Sequence, residues 1–94
     1  MIRYGQQDIT QKDIDAVVEV LKSTNLTQGP NIPAFEEAVK VATGAAHAMA
    51  VNSATSALHI ACLALDLGPG DWLWTSPNTF VASSNCALYC GAQV

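Results

Sequence analysis

Basic residues are scarce in this chain: Arg3, Lys12, Lys22 and Lys40 are the only cations, and the net charge is −4. A nucleic-acid partner is thereby disfavoured, because counterion release requires a clustered basic face and four scattered cations make none. No apolar run approaches the length of a membrane span. The amino terminus, with Arg3, Gln6, Gln7 and Asp8, lacks the apolar core of a secretory signal. The expected compartment is the cytoplasm, with no membrane partner. Cysteine is limited to Cys62, Cys86 and Cys90, an odd number without framework spacing, which indicates reduced thiols. Cys86 and Cys90 stand four apart on a helical pattern, but neither has a His or acidic neighbour that would complete a metal site, so no metal is expected. His47 and His59 lack a Ser, Cys or Asp in triad-like context, and structural roles lead for both. The acidic residues Asp13, Asp15, Glu19, Glu36 and Glu37 most simply solvate helix faces.

What is present is a half-apolar chain of 94 residues, which excludes intrinsic disorder. Thr10 followed by Asp13 resembles an acidic capping box, and Ile14, Val17, Val18 and Leu21 follow at helical spacing, predicting a helix from about Gln11 to Lys22. Residues 23–31, with Gly29-Pro30, read as a surface loop of the kind that carries contacts. Asn31 is the expected cap of a second helix with Pro33 in its first turn. Phe35, Val39 and Ala42 lie on one side of that helix, and Gly44 is its stop. Strands are expected at 47–51 and about 72–75, with the start of a third in Gly91-Ala92-Gln93-Val94, where the chain stops; the expectation is a fragment. Between them lie two more helices. The first carries Leu58, Ala61, Cys62 and Leu65 on one face and ends before the Gly68-Pro69-Gly70-Asp71 turn. The second is capped by Asn78 or Thr79 and runs to Gly91. The order α-α-β-α-β-α-β predicts an α/β fold whose mostly parallel sheet, flanked by helices, binds ligands beyond the carboxyl ends of its strands.

Two features meet at that edge. Asn52-Ser53-Ala54-Thr55 joins an apolar run to a helix expected to start near Ser56, so free N–H groups and the positive end of the helix dipole would face a phosphate past small side chains. Ser53 and Thr55 can add hydroxyl donors. Ser or Thr before a helix is most often an ordinary N-cap, so the turn alone reads first as a plain cap. Phe80, just after the next strand, could cover a planar ring whose phosphate the turn holds, or could be a core anchor. No catalytic dyad is visible.

Several blocks occur together: Leu26-Thr27-Gln28-Gly29-Pro30, Phe35-Glu36-Glu37-Ala38, Asn52-Ser53-Ala54-Thr55-Ser56-Ala57-Leu58-His59, Gly68-Pro69-Gly70-Asp71 and Ser76-Pro77-Asn78-Thr79-Phe80-Val81-Ala82-Ser83. In this order and spacing they resemble the start of a nucleotide-sugar aminotransferase of the DegT/DnrJ/EryC1/StrS family, over nearly the whole chain. The resemblance implies a fold type I enzyme dependent on pyridoxal 5'-phosphate, of which residues 1–94 are the amino-terminal portion of the large domain. It implies a homodimer with active sites at the subunit interface. By the same resemblance Ala54 and Thr55 match positions that hold the cofactor phosphate, and Phe80 matches the aromatic on the pyridine ring. Tyr4 and the loop Thr24, Asn25, Leu26 and Thr27 match positions near the sugar nucleotide, with Ala54 counted there too. The implied reaction moves an amino group from L-glutamate to C4 of a UDP-linked 4-keto-6-deoxy sugar in surface-glycan biosynthesis. Related enzymes aminate C3 or C4 of differently decorated nucleotides. The family's Schiff-base lysine and the aspartate facing the pyridine nitrogen are expected beyond Val94, since Lys12, Lys22 and Lys40 sit in no matching motif; no catalytic residue is expected within these 94. The rival from another class is a non-enzymatic phosphate-binding α/β module, which a downstream lysine in a Ser-x-x-x-x-Lys-like context would exclude.

Overall fold

The structure, a computed structural model, describes residues 5–94. The chain divides into two units, Met1–Ala48 and Met49–Val94. The first holds helices α1 (Gln11–Lys22) and α2 (Asn31–Thr43). At the start of α1 the expected capping box is formed: the Asp13 N–H donates to Thr10 Oγ1 at 3.4 Å while the Thr10 N–H donates to Asp13 Oδ2 at 2.7 Å. Two donors that the helix leaves unpaired are thereby satisfied by neighbours three residues apart. The Thr10 backbone N–H, and then its hydroxyl, hold the Asp13 carboxyl below its ordinary pKa. Helix α2 starts one residue earlier than expected. Asn31 lies inside it and Pro30, with φ −65°, takes the N-cap position without a side-chain bond. Gly44 ends it at φ 72°, its N–H donating to Lys40 O at 2.8 Å. No described residue of this unit is buried. Val17, Leu21 and Phe35 are exposed.

The second unit holds α3 (Ala54–Ala64) and α4 (Ala82–Tyr89), which pack on each other. Its core is made of small side chains, Cys62, Ala82, Cys86, Ala87 and Ala92, which let two helices approach closely but remove little apolar area from water. Of the expected face of α3 only Cys62 is buried; Leu65 is 81 % exposed. The His59 and Tyr89 rings meet edge to face with centroids 5.2 Å apart, a second link between these helices. All three cysteines are free thiols, and burial, followed by the neighbouring Cys86 and Cys90 thiols, pushes the Cys62 pKa up. Helix α4 begins later than Asn78 or Thr79 would cap it. Residues 80–84 first make a tight turn, Ser83 N–H to Phe80 O at 3.0 Å and Ser84 N–H to Val81 O at 3.1 Å, and the Thr79 hydroxyl is paired with Ser83 Oγ at 3.1 Å.

No extended strand forms among the described residues. The pairing expected between 72–75 and the last residues is reduced to one parallel bridge, Trp72 with Gln93. The Leu73 N–H donates to Gln93 O and the Gln93 N–H to Asp71 O, both at 2.9 Å, the slanted pattern of a parallel pair. A ladder needs successive pairs along two segments, and only this first rung is present. Residues 47–51 form no strand. The turn at Gly68 is as expected, closed by Gly68 N–H to Asp71 Oδ2 at 2.9 Å, with Gly70 at φ 97°.

Candidate cofactor-phosphate site

Ser53 is extended, at φ −160° and ψ 153°, and turns the chain into α3, whose first residues are Ala54 and Thr55 rather than Ser56. This shift places both in the first turn. Their N–H groups precede the first intrahelical bond, which is Ala57 N–H to Ser53 O at 3.0 Å, and no partner within the described chain engages them. The Ser56 N–H is different, since it donates to Ser53 Oγ at 3.1 Å. The Ser53 hydroxyl also shares a 3.0 Å hydrogen bond with Ser56 Oγ. Of the two hydroxyls read as phosphate donors, Ser53 is therefore engaged as the helix cap, and Thr55, half-buried, is the one left to reach a ligand. The plain-cap alternative for the tetrad is realised at Ser53, and beside it stand three donors, two N–H groups and one hydroxyl. That donor set fits a phosphate at the positive end of a helix dipole.

Phe80 belongs to the same unit and is 72 % exposed, so no core among the described residues covers it. It lies in the tight turn before α4. With Thr75, Ser76, Pro77, Thr79 and Ser84 it lines an open hollow of about 370 Å³, so the neighbourhood of the ring is rich in hydroxyls. The packing of α3 on α4 keeps the helix start and the Phe80 turn within one unit.

Of the positions expected near the sugar nucleotide, Thr24 to Thr27 fall in the first unit and Ala54 in the second. Tyr4 lies outside the described residues. Thr24, Asn25, Leu26 and Thr27 form an exposed loop between α1 and α2. That loop has an anchor the sequence reading missed: the Ser23 hydroxyl donates to Val20 O at 2.7 Å and accepts from the Asn25 N–H at 3.3 Å. A serine directly after the last helical residue was the available signal, since serine hydroxyls bond the backbone at helix ends and turns. Gln28 adopts φ 52°, a left-handed conformation uncommon outside glycine. Asn25 also lines a hollow of about 200 Å³ with Glu19, Ser23 and Asn31.

Lys12 and Lys22 are exposed on α1, and Lys40 is engaged with Glu37 at 2.7 Å. No trio of His, Cys, Asp or Glu among the described residues is arranged to hold a metal, and no helix among them is long and apolar enough to cross a membrane.

The profile of the DegT/DnrJ/EryC1/StrS aminotransferase family matches residues 7–94. The chain is 48 % identical, over all 94 residues, to a UDP-4-amino-4,6-dideoxy-N-acetyl-beta-L-altrosamine transaminase of Campylobacter jejuni, and covers 25 % of that protein. It is 43 % identical over 89 residues, 95 % of the chain and 23 % of the relative, to the spore coat polysaccharide biosynthesis protein SpsC of Bacillus subtilis. A UDP-4-amino-4-deoxy-L-arabinose–oxoglutarate aminotransferase of Shewanella sediminis is 40 % identical over 85 residues, 90 % of the chain and 22 % of the relative. The chain thus spans about a quarter of the length of the curated relatives it matches.

Proposed function

Because the chain belongs to the DegT/DnrJ/EryC1/StrS aminotransferase family, we propose that it supplies the cofactor-phosphate end of a pyridoxal-phosphate-dependent nucleotide-sugar transaminase. In this reading residues 1–94 are the amino-terminal portion of one aminotransferase domain of fold type I. The Trp72–Gln93 bridge is then the first rung of its mostly parallel sheet. The single observation that carries the site is the start of α3, where Ala54 N–H, Thr55 N–H and Thr55 Oγ1 stand without internal partners in a chain of this family.

Pyridoxal phosphate, when bound, supplies the carbonyl group that carries nitrogen between donor and acceptor. The residues of this chain bind and orient. Ala54 and Thr55 would fix the phosphate, their neutral N–H donors at a helix start stabilising its negative charge. The exposed face of Phe80 would stack on the cofactor ring and help to hold its orientation. Tyr4, Ala54 and the Thr24–Thr27 loop contact the sugar nucleotide. The proposed reaction exchanges the C4 carbonyl oxygen of a UDP-linked 4-keto-6-deoxy-N-acetylhexose for the amino group of L-glutamate. Glutamate leaves as 2-oxoglutarate, with no external oxidant or reductant. The similarity to the altrosamine transaminase supports this acceptor; a place in pseudaminic acid or other surface-glycan synthesis, in a cytoplasmic homodimer, is proposed with it. The arabinose-specific relative supports a second acceptor, another keto-sugar nucleotide.

The test is a turnover assay on the full-length protein with L-glutamate and a panel of UDP-linked keto sugars, following 2-oxoglutarate and identifying the amino sugar by mass spectrometry. Amination of the 4-keto-6-deoxy-N-acetylhexose supports the first reading, and amination of a different keto sugar the second. No turnover with any acceptor, together with no cofactor binding, would leave the non-enzymatic phosphate-binding module.

A further inference from the structure

Resting on the reading of Thr24–Thr27 as sugar-nucleotide contacts, we propose that Gly29 is the positioning residue of that subsite: its bare α-carbon sets where the Asn25–Leu26 peptide lies, between the two threonines. A β-carbon on Gly29 would stand 2.8 Å from the Asn25 carbonyl oxygen, 3.3 Å from Asn25 Cβ and 3.6 Å from the Asn25 carbonyl carbon. The first approach is closer than real β-carbons make. Its partner is backbone, so no side-chain rotation relieves it, and the Asn25–Leu26 peptide itself must move. Gly29 cannot retreat instead. Its carbonyl accepts from the Ile32 N–H at 3.4 Å, and the next residue, Pro30, has its φ fixed by the ring and accepts from the Ala34 N–H at 3.2 Å as α2 begins.

The other end of the loop is anchored too. Ser23 Oγ ties Asn25 to the last turn of α1, and Gln28 at φ 52° leaves the intervening chain little freedom to absorb a shift. Any displacement caused by a side chain at position 29 is thus delivered to the peptide that spaces Thr24 from Thr27. A small displacement there is expected to change where the acceptor sits. Gly68 provides the contrast: a β-carbon there meets nothing closer than 3.9 Å, and no positive φ is required.

The experiment uses the full-length protein loaded with cofactor and varies the UDP-linked 4-keto-6-deoxy-N-acetylhexose and L-glutamate separately. Gly29→Ala should raise the KM for the sugar nucleotide roughly tenfold or more, while the glutamate KM and kcat stay within about a factor of two and Gly68→Ala changes neither KM. Where Gly29→Ala yields no folded protein, Ser23→Ala decides by the same sugar-selective rise in KM. An unchanged sugar KM overturns the proposal, as does a parallel loss of glutamate-dependent turnover, which would mark a general structural role. Thr27→Ala separates the two layers. If it leaves the sugar KM unaltered, the assignment of the loop to the sugar nucleotide fails; if it raises that KM and Gly29→Ala does not, only the role of Gly29 fails.

Discussion

Helices α1 and α2 bury no residue within their unit, whereas α3 and α4 enclose a small core. Helix α1 has the more complete cap, with both bonds of a capping box, and α4 has no side-chain cap at all. Capping therefore does not decide which helices pack. The buried side chains at the α3–α4 contact are small, Ala82, Cys86, Ala87 and Cys62, while α1 leaves the bulky Ile14, Val17, Val18 and Leu21 exposed, as α3 does Leu58, Ile60 and Leu63. The bulky stripe is suited to a larger partner surface than the first unit supplies. The small-residue contact is complete within 46 residues and holds in one unit the helix start and the turn that the proposed cofactor site uses.

This contrast can be broken most sharply at Ala87, which has no exposed surface. Ala87→Leu should overpack the α3–α4 contact at a cost of about 1–3 kcal/mol, read as lost amide protection in both helices by hydrogen exchange, while α1 is unaffected. If exchange in α3 does not change, the contact is not what orders the second unit. A smaller and local effect is expected at the cap: Thr10→Ala should cost about 1 kcal/mol, visible as earlier fraying of α1 with α3 and α4 unchanged. Smaller again is the response to acid. The Asp13 carboxyl has a depressed pKa in the folded cap, so its contribution is fully present above the ordinary carboxylate value and is lost as pH falls through the folded one. The first turn of α1 should loosen on acidification, and Asp13→Asn should remove that pH dependence. A carboxyl resonance of Asp13 titrating at or above the usual value would contradict the capping geometry.

Where a signal and its partner lie within a few residues, the sequence was legible. The bounds of α1 were readable from Thr10, Asp13 and the apolar period, as were the Gly44 stop and the Gly68 turn. Asn78 and Thr79 misled because each is an acceptable cap in isolation. The tight turn at residues 80–84 instead moves the start of α4 to Ala82. Strands were the least legible, since a strand is defined by its neighbour, and only Trp72 and Gln93 are paired among the described residues. At the site, the small residues and their place before a helix could be read. The division of labour between Ser53 and Thr55 could not, because it depends on the Ser53 side chain turning toward the Ser56 N–H. The close approach of Gly29 to Asn25 likewise depends on how the loop folds back, which no residue type announces.

The central claim is that the start of α3 holds the cofactor phosphate through the donors Ser53 leaves free. It is tested most directly by titrating the full-length protein with pyridoxal phosphate and comparing the dissociation constants of wild type and Thr55→Val, a change that keeps shape and removes one hydroxyl. The loss of a hydrogen bond to a charged phosphate should weaken binding by about 1.5–3 kcal/mol. Phe80→Ala serves as the companion variant, expected to lower turnover as well as affinity because it loosens orientation. Wild-type affinity in Thr55→Val, with wild-type affinity and turnover in Phe80→Ala, would contradict the account and leave the tetrad as a helix cap alone.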